Sequence, residues 1–115
     1  MNIGILEAYD FHDSLVEKIS FDEKQRCVEL EIDFCNWKQS WYNEEEPETE
    51  IKRLVFENVT KVILPQTDLN SDEIICLELI FGPLQGVQGV RIIVLNDLKN
   101  EIQEIEIYST EVTFV

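Results

Sequence analysis

One stretch constrains the fold of this chain more than any other, because residues 28–35 alternate strictly between two kinds of side chain. One set of alternate residues is apolar: Val28, Leu30, Ile32 and Phe34. The residues between them are three acids and a cysteine: Glu29, Glu31, Asp33 and Cys35. A period of two residues indicates a β-strand, since a helix repeats every 3.6 residues. The stretch therefore predicts an antiparallel strand with one buried face and one wet, acidic face.

Further strands are predicted on both sides of this run. Before it, the residues that would share a strand face are Leu15, Glu17, Ile19 and Phe21. Residues 22–25 form a polar break of hairpin length. Residues 54–64 predict a strand that ends before Pro65, and further strands are predicted at residues 90–95, 102–108 and 112–114.

The sequence of residues 72–80 is compatible with either a helix or a strand. Ser71 can cap a helix that begins at Asp72, because its hydroxyl can accept a free backbone N–H. Ile75, Leu77 and Leu79 alternate, however, as in a strand. We expect a helical turn that passes into a strand, followed by a loop at Gly82-Pro83 and residues 86–89.

Six or seven short strands separated by turns predict a mainly β protein, built as an antiparallel sandwich or a strongly curled sheet with at most one short helix. The alternative is an α+β fold with one helix on the sheet. With 115 residues, no internal repeat and no change in composition that marks a boundary, we expect residues 1–115 to form a single domain.

The charge narrows the range of partners. Nine basic against 24 acidic residues give 9 − 24 = −15. Such a surface repels nucleic-acid phosphates and anionic lipid, so neither is an expected partner, whereas a cationic protein is. The simpler interpretation is that the charge only keeps the protein in solution.

The three cysteines, Cys27, Cys35 and Cys76, indicate a reducing compartment. If Cys27 and Cys35 share a strand they lie roughly 26 Å apart, whereas a disulfide needs Cα atoms within about 7 Å. The N-terminus lacks a secretory pattern and no apolar run reaches the roughly 20 residues of a membrane span. We therefore expect a cytoplasmic protein with three free thiols.

The only histidine, His12, lies between Phe11 and the pair Asp13-Ser14. Metal-dependent phosphohydrolases also carry a His-Asp pair, but they need further histidines, and the spacing of the cysteines fits no zinc site. A nucleophile activated by His12 is formally available, yet nothing around the serines or cysteines favours one. We expect no metal, no cofactor and no catalytic residue, and a structural role for His12, Asp13 and Ser14.

An aromatic and acidic stretch follows the alternating run. It contains Trp37, Trp41, Tyr42, Glu44, Glu45, Glu46, Glu48 and Glu50. The glutamates and Pro47 predict a loop, because dense like charges repel one another and proline cannot donate to a sheet. The aromatic residues either cover the core or form an anchor for a partner, bordered by charge. We predict these eight residues as the partner-binding site.

The segment of residues 11–14, with Leu54, Val55, Phe56 and Val59 further on, resembles a loose set of small bacterial β-rich proteins with an aromatic-His-Asp-Ser or aromatic-His-Asp-Ala start. Some of them are grouped as immunity proteins of polymorphic toxin systems. The resemblance covers roughly residues 9–64 and carries over His12, Asp13 and Ser14 as signature positions; the acidic loop and the two tryptophans are outside its pattern. It implies a non-catalytic cytoplasmic protein that binds and blocks a toxin.

The residues and the resemblance together predict a non-enzymatic acidic binding protein, with neutralisation of a basic bacterial toxin as its specific role. The alternative is a module that binds a small ligand or assembles into a homo-oligomer, such as a homodimer, through its aromatic residues.

Overall fold

The structure, a computed structural model, describes residues 2–81 and 87–115. The strands in these ranges are β1 (Leu15–Asp22), β2 (Cys27–Cys35), β3 (Thr49–Glu57), β4 (Lys61–Ile63), β5 (Asp72–Phe81), β6 (Gln88–Asn96), β7 (Glu101–Ser109) and β8 (Glu111–Phe114). Two short 3-10 helices, η1 (Ile3–Ala8) and η2 (Asn36–Lys38), complete the elements of the described part. None of its helices is long and apolar enough to cross a membrane.

All strand pairs are antiparallel, and the strands form one open sheet in the order β4-β7-β6-β5-β1-β2-β3-β8. The predicted mainly β fold is therefore confirmed. The described strands number eight instead of six or seven, and they belong to one sheet instead of the two of a sandwich. The loop predicted at Gly82-Pro83 lies outside the described residues, whereas Gln88 and Gly89, which were assigned to a loop, belong to β6.

The alternating run became β2, and its apolar side chains Val28, Leu30, Ile32 and Phe34 are fully buried. They join one hydrophobic cluster to which strands of the whole sheet and η1 contribute. Near Phe34, the rings of Tyr9, Phe11 and Phe114 lie with centroids 4.8–6.0 Å apart. Tilted and edge-on ring pairs at these distances add to the stabilisation from burial.

Two predictions about individual elements were wrong. Residues 72–80 are strand throughout, with no helical turn. Residues 54–64 do not form one strand, because β3 ends at Glu57 and the next residue, Asn58, has a φ of 55°. The following strand, β4, pairs with β7 at the far edge of the sheet. After β2, residues 37–42 continue through η2 into a turn.

The predicted face of β1 was also partly wrong, because a bulge interrupts the alternation. The register against β2 shifts between Val16 and Lys18. As a result Val16 lies opposite Ile32 and is fully buried, while Glu17 does not share a face with Ile19. A matching shift between Ile74 and Cys76 in β5 leaves Ile75 at the surface. A single extra residue exchanges the two faces of a strand.

The two bulges flank the centre of the sheet, where β1 and β5 pair at only two positions, Leu15 with Glu73 and Val16 with Asp72. Both strands begin at this short junction and run away from it in opposite directions. Only their first two residues therefore lie opposite each other. The junction also fixes the position of residues 11–14, which immediately precede β1.

Candidate functional site

Residues 11–14, which we call the junction segment, are tied to two strands at once. Asp13 N–H donates to the Ile74 carbonyl (3.0 Å), and Ile74 N–H donates to the Ser14 carbonyl (2.8 Å). The Ser14 hydroxyl, which is fully buried, accepts the N–H of Cys35 at 3.0 Å. Asp13 has a φ of 72°, a conformation that aspartate tolerates better than most residues. The segment thus links β1, β2 and β5.

Polar side chains converge beside this segment. One carboxylate oxygen of Asp13 lies 3.0 Å from His12 Nδ1, and the other forms an ion pair with Lys38 Nζ at 3.0 Å. Lys38 Nζ lies 3.4 Å from His12 Nδ1. The side chains of His12 and Asp13 are 51% and 33% exposed, so solvent weakens these interactions.

The carboxyl groups of Asp13 and of Glu73 in β5 shift each other's pKa in opposite directions. The hydrogen bond with Glu73, followed by that with Lys38, lowers the pKa of Asp13 below its ordinary value of 3.8. The same hydrogen bond with Asp13 raises the pKa of Glu73 above 4.5. When the two groups hold one proton between them, that proton therefore favours Glu73, and Asp13 is the ionised member.

The nearest thiol is a poor nucleophile. Cys35 Sγ lies 3.4 Å from the Asp13 carbonyl oxygen, and burial raises the pKa of this thiol. A thiol with a raised pKa is protonated and unreactive at neutral pH. Within residues 2–81 and 87–115, no three His, Cys, Asp or Glu side chains are grouped so as to hold a metal ion.

Gln39 connects the junction segment to the aromatic stretch. Its side-chain oxygen accepts Asp10 N–H at 3.0 Å, and its side-chain nitrogen donates to the carbonyls of Asp10 (2.7 Å) and Cys35 (2.9 Å). Gln39, Lys38 and Glu73 were not predicted as site residues. No spacing pattern marks them, since each meets its partner only through the tertiary fold.

The predicted partner-binding residues lie together at the surface. Trp37 and Trp41 are each 47% exposed and Tyr42 is half-buried. The five glutamates beside them are all exposed: Glu44, Glu45, Glu46, Glu48 and Glu50. We call these eight residues the tryptophan–glutamate surface.

The glutamate loop is folded back against η2, which brings its charges to the tryptophans. Trp37 N–H donates to the Glu48 carbonyl at 3.2 Å. The buried Asn36 side chain donates to the Pro47 carbonyl (3.1 Å) and to Glu50 Oε1 (3.2 Å). Glu50 is also paired with Lys52 at 3.5 Å. Lys38 Nζ lies 5.3 Å from the Trp37 ring, in the geometry of a cation–π contact.

Two open clefts lie where β1 and β5 separate. The first, about 640 Å³, lies along β1 and is walled by Glu17, Phe21, Glu29, Leu64 and Leu69, among others. The second, about 540 Å³, lies between residues 6–12 and residues 75–79 of β5. Neither tryptophan lines either cleft.

Comparisons with known proteins gave no match to a protein-family model, to a curated protein or to a solved structure.

Proposed function

We propose that this protein is a non-enzymatic acidic binding protein of the cytoplasm, and that it uses the tryptophan–glutamate surface to bind and neutralise a basic protein. The resemblance at residues 11–14 implies that this partner is a bacterial toxin. The observation that supports this most is the position of Trp37 and Trp41, each 47% exposed beside five exposed glutamates. Tryptophans surrounded by polar residues are the usual composition of an interface hot spot.

Charge supports the same partner class. The chain carries −15, and the glutamate loop concentrates part of that charge at one place. An anionic surface of this kind speeds the encounter with a cationic protein and makes the association rate fall as salt rises. An inhibitor that must reach a toxin quickly benefits from such steering.

The cytoplasmic location is part of the proposal. Cys27 and Cys35 lie at opposite ends of β2, too far apart to form a disulfide, and all three cysteines are free. Free thiols fit a reducing compartment.

The test uses the product of the gene directly upstream, where an immunity protein's toxin is encoded. That product is made in a host cell together with this protein or with the double variant Trp37→Ala/Trp41→Ala. We expect the unmodified protein to restore growth and the double variant to fail. Leu98→Ala/Ile102→Ala is the matched control, because both side chains are exposed, at 94% and 67%, and lie outside the tryptophan–glutamate surface.

The proposal is wrong if the upstream product is harmless or stays lethal beside the unmodified protein, and no other partner is recovered by pull-down from the native cells. The choice of surface is wrong if growth is restored equally by the double variant.

A second candidate function, the binding of a small ligand, is supported by the 640 Å³ cleft, whose volume is ordinary for a ligand site. A thermal-shift screen with common metabolites tests it. A clear shift that Phe21→Ser abolishes, with no effect of the tryptophan variants, would favour this function over the first.

A further inference from the structure

Although β5 lies in the middle of the strand order, one of its two edges is largely unpaired. β5 pairs with β6 along its length, up to Phe81. On its other side it pairs with β1 only at Asp72 and Glu73, and Ile74 adds the two hydrogen bonds to the junction segment. Among the described residues, none bonds to the backbone of β5 beyond Ile74 on this side.

A strand that is paired on one side only presents alternate N–H and C=O groups on the other side. In β5 these groups face the second cleft, whose opposite wall is the segment of residues 6–12. The stretch from Ile75 to Leu79 spans about 13 Å at 3.3 Å per residue. The cleft is thus long enough for one extended segment of several residues.

The wall opposite β5 is held in place. Phe11 and Leu6 are buried in the core. The Gln39 side chain accepts the N–H of Asp10 and donates to the carbonyl of Asp10. The cleft therefore does not depend on a loose loop. A site that exists before binding loses less conformational entropy when a ligand binds.

The lining of the cleft combines apolar and acidic side chains. Ile75 is exposed, and Leu77 and Leu79 are only partly buried. Glu7 and Asp10 on one wall and Glu78 on the other supply carboxylates, whereas His12 is the only basic residue among those that line the cleft. Glu78 is already paired with Arg91, which two further carboxylates, Glu104 and Glu106, also contact. The cleft is therefore complementary to a positively charged segment.

We propose that the free edge of β5 binds an extended, basic segment of a partner protein, which adds a strand to the sheet within the 540 Å³ cleft. Backbone hydrogen bonds to β5 would provide affinity, and alternate side chains would reach the apolar and the acidic parts of the lining. This site contains no residue of the tryptophan–glutamate surface, so it goes beyond the proposed function.

The probe is a blocked peptide of about eight residues that alternates lysine and valine. Its control is the same peptide with N-methyl groups on alternate amides, which removes the donors along one edge but keeps the charge. We expect the methylated peptide to bind roughly tenfold more weakly or worse, since it cannot donate backbone hydrogen bonds along one edge.

Amide hydrogen exchange locates the bound peptide. We expect new protection at residues 75–79 of β5 and none at residues 18–21 of β1, the other strand whose edge becomes free at the junction. Glu7→Lys should weaken binding roughly threefold, because it reverses one charge on the cleft wall. Glu23→Lys, the same change in the exposed β1–β2 turn, should leave binding unchanged.

Three results would overturn the proposal: no binding at peptide concentrations up to about 1 mM, equal binding of the two peptides, or protection that falls elsewhere than on β5. Each of these outcomes leaves the growth test of Trp37 and Trp41 unaffected, so the two proposals fail separately.

Discussion

The junction segment and the tryptophan–glutamate surface are neighbours joined by Lys38, yet they are built in opposite ways. In the junction segment, Phe11 and Ser14 are buried and their backbone is bonded to β2 and β5. In the other region, two tryptophans and five glutamates remain exposed, and most of the hydrogen bonds that shape it come from backbone groups and from Asn36.

The difference shows which residues are free to bind. A buried group that stabilises the sheet cannot be given to a partner without loss of stability. An exposed tryptophan stabilises the monomer little and keeps most of its surface for an interface. Substitutions in the two regions should therefore divide into those that unfold the protein and those that leave it folded.

The largest contrast is expected between Phe11→Ala and Trp41→Ala. Phe11 is 3% exposed and packs against three other rings, so its loss should cost about 3–5 kcal/mol of the free energy of unfolding. Trp41 is half exposed, and its loss should cost about 1 kcal/mol or less. Urea denaturation of both variants measures the two values. Equal costs would remove the distinction between the two regions.

A smaller contrast is expected between two serines. Ser14→Ala leaves the buried N–H of Cys35 without its acceptor and should cost about 1–3 kcal/mol. Ser40→Ala, at an exposed position next to Trp41, should change stability by about 0.5 kcal/mol or less. The same denaturation experiment compares them, and a neutral Ser14→Ala would show that the hydrogen bond does not hold the junction segment.

The smallest effect concerns pH and the pair of Asp13 and Glu73. The pKa of Asp13 is lowered on folding, so its contribution to stability is present above 3.8 and is lost as the pH falls through the lower, folded value. The pKa of Glu73 is raised, so its contribution is present below 4.5 and is lost as the pH rises through the higher, folded value.

Glu73→Gln removes the ionisable carboxyl whose pKa is raised, and with it the loss of stability as the pH rises. We expect the variant to gain stability relative to the unmodified protein as the pH rises above 4.5 through the raised pKa, because the ionised pair no longer repels. Denaturation midpoints measured across this range test the expectation, with Glu23→Gln in an exposed turn as control. A constant difference between the two proteins at all pH values would contradict the carboxyl pairing.

The sequence by itself determined the strands and most of their buried faces. The alternation in residues 28–35 places four apolar side chains on one face, and burying that face is strongly favourable whatever the order of the strands. Composition likewise identified the glutamate loop as far as Glu48, since like charges cannot pack together in a core. Its predicted last residue, Glu50, belongs instead to β3, where pairing with β2 orders it.

Only the tertiary structure decided where the two β-bulges lie and how short the pairing of β1 with β5 is. The bulges beside Val16 and Ile74 leave no sign in the sequence, because a bulge depends on which strand lies alongside. The pairing of Asp13 with Glu73, the hydrogen bonds of Gln39 to Asp10 and the free edge of β5 all join residues distant in the chain. Such contacts are set by packing over the whole sheet, and local patterns of residues do not encode them.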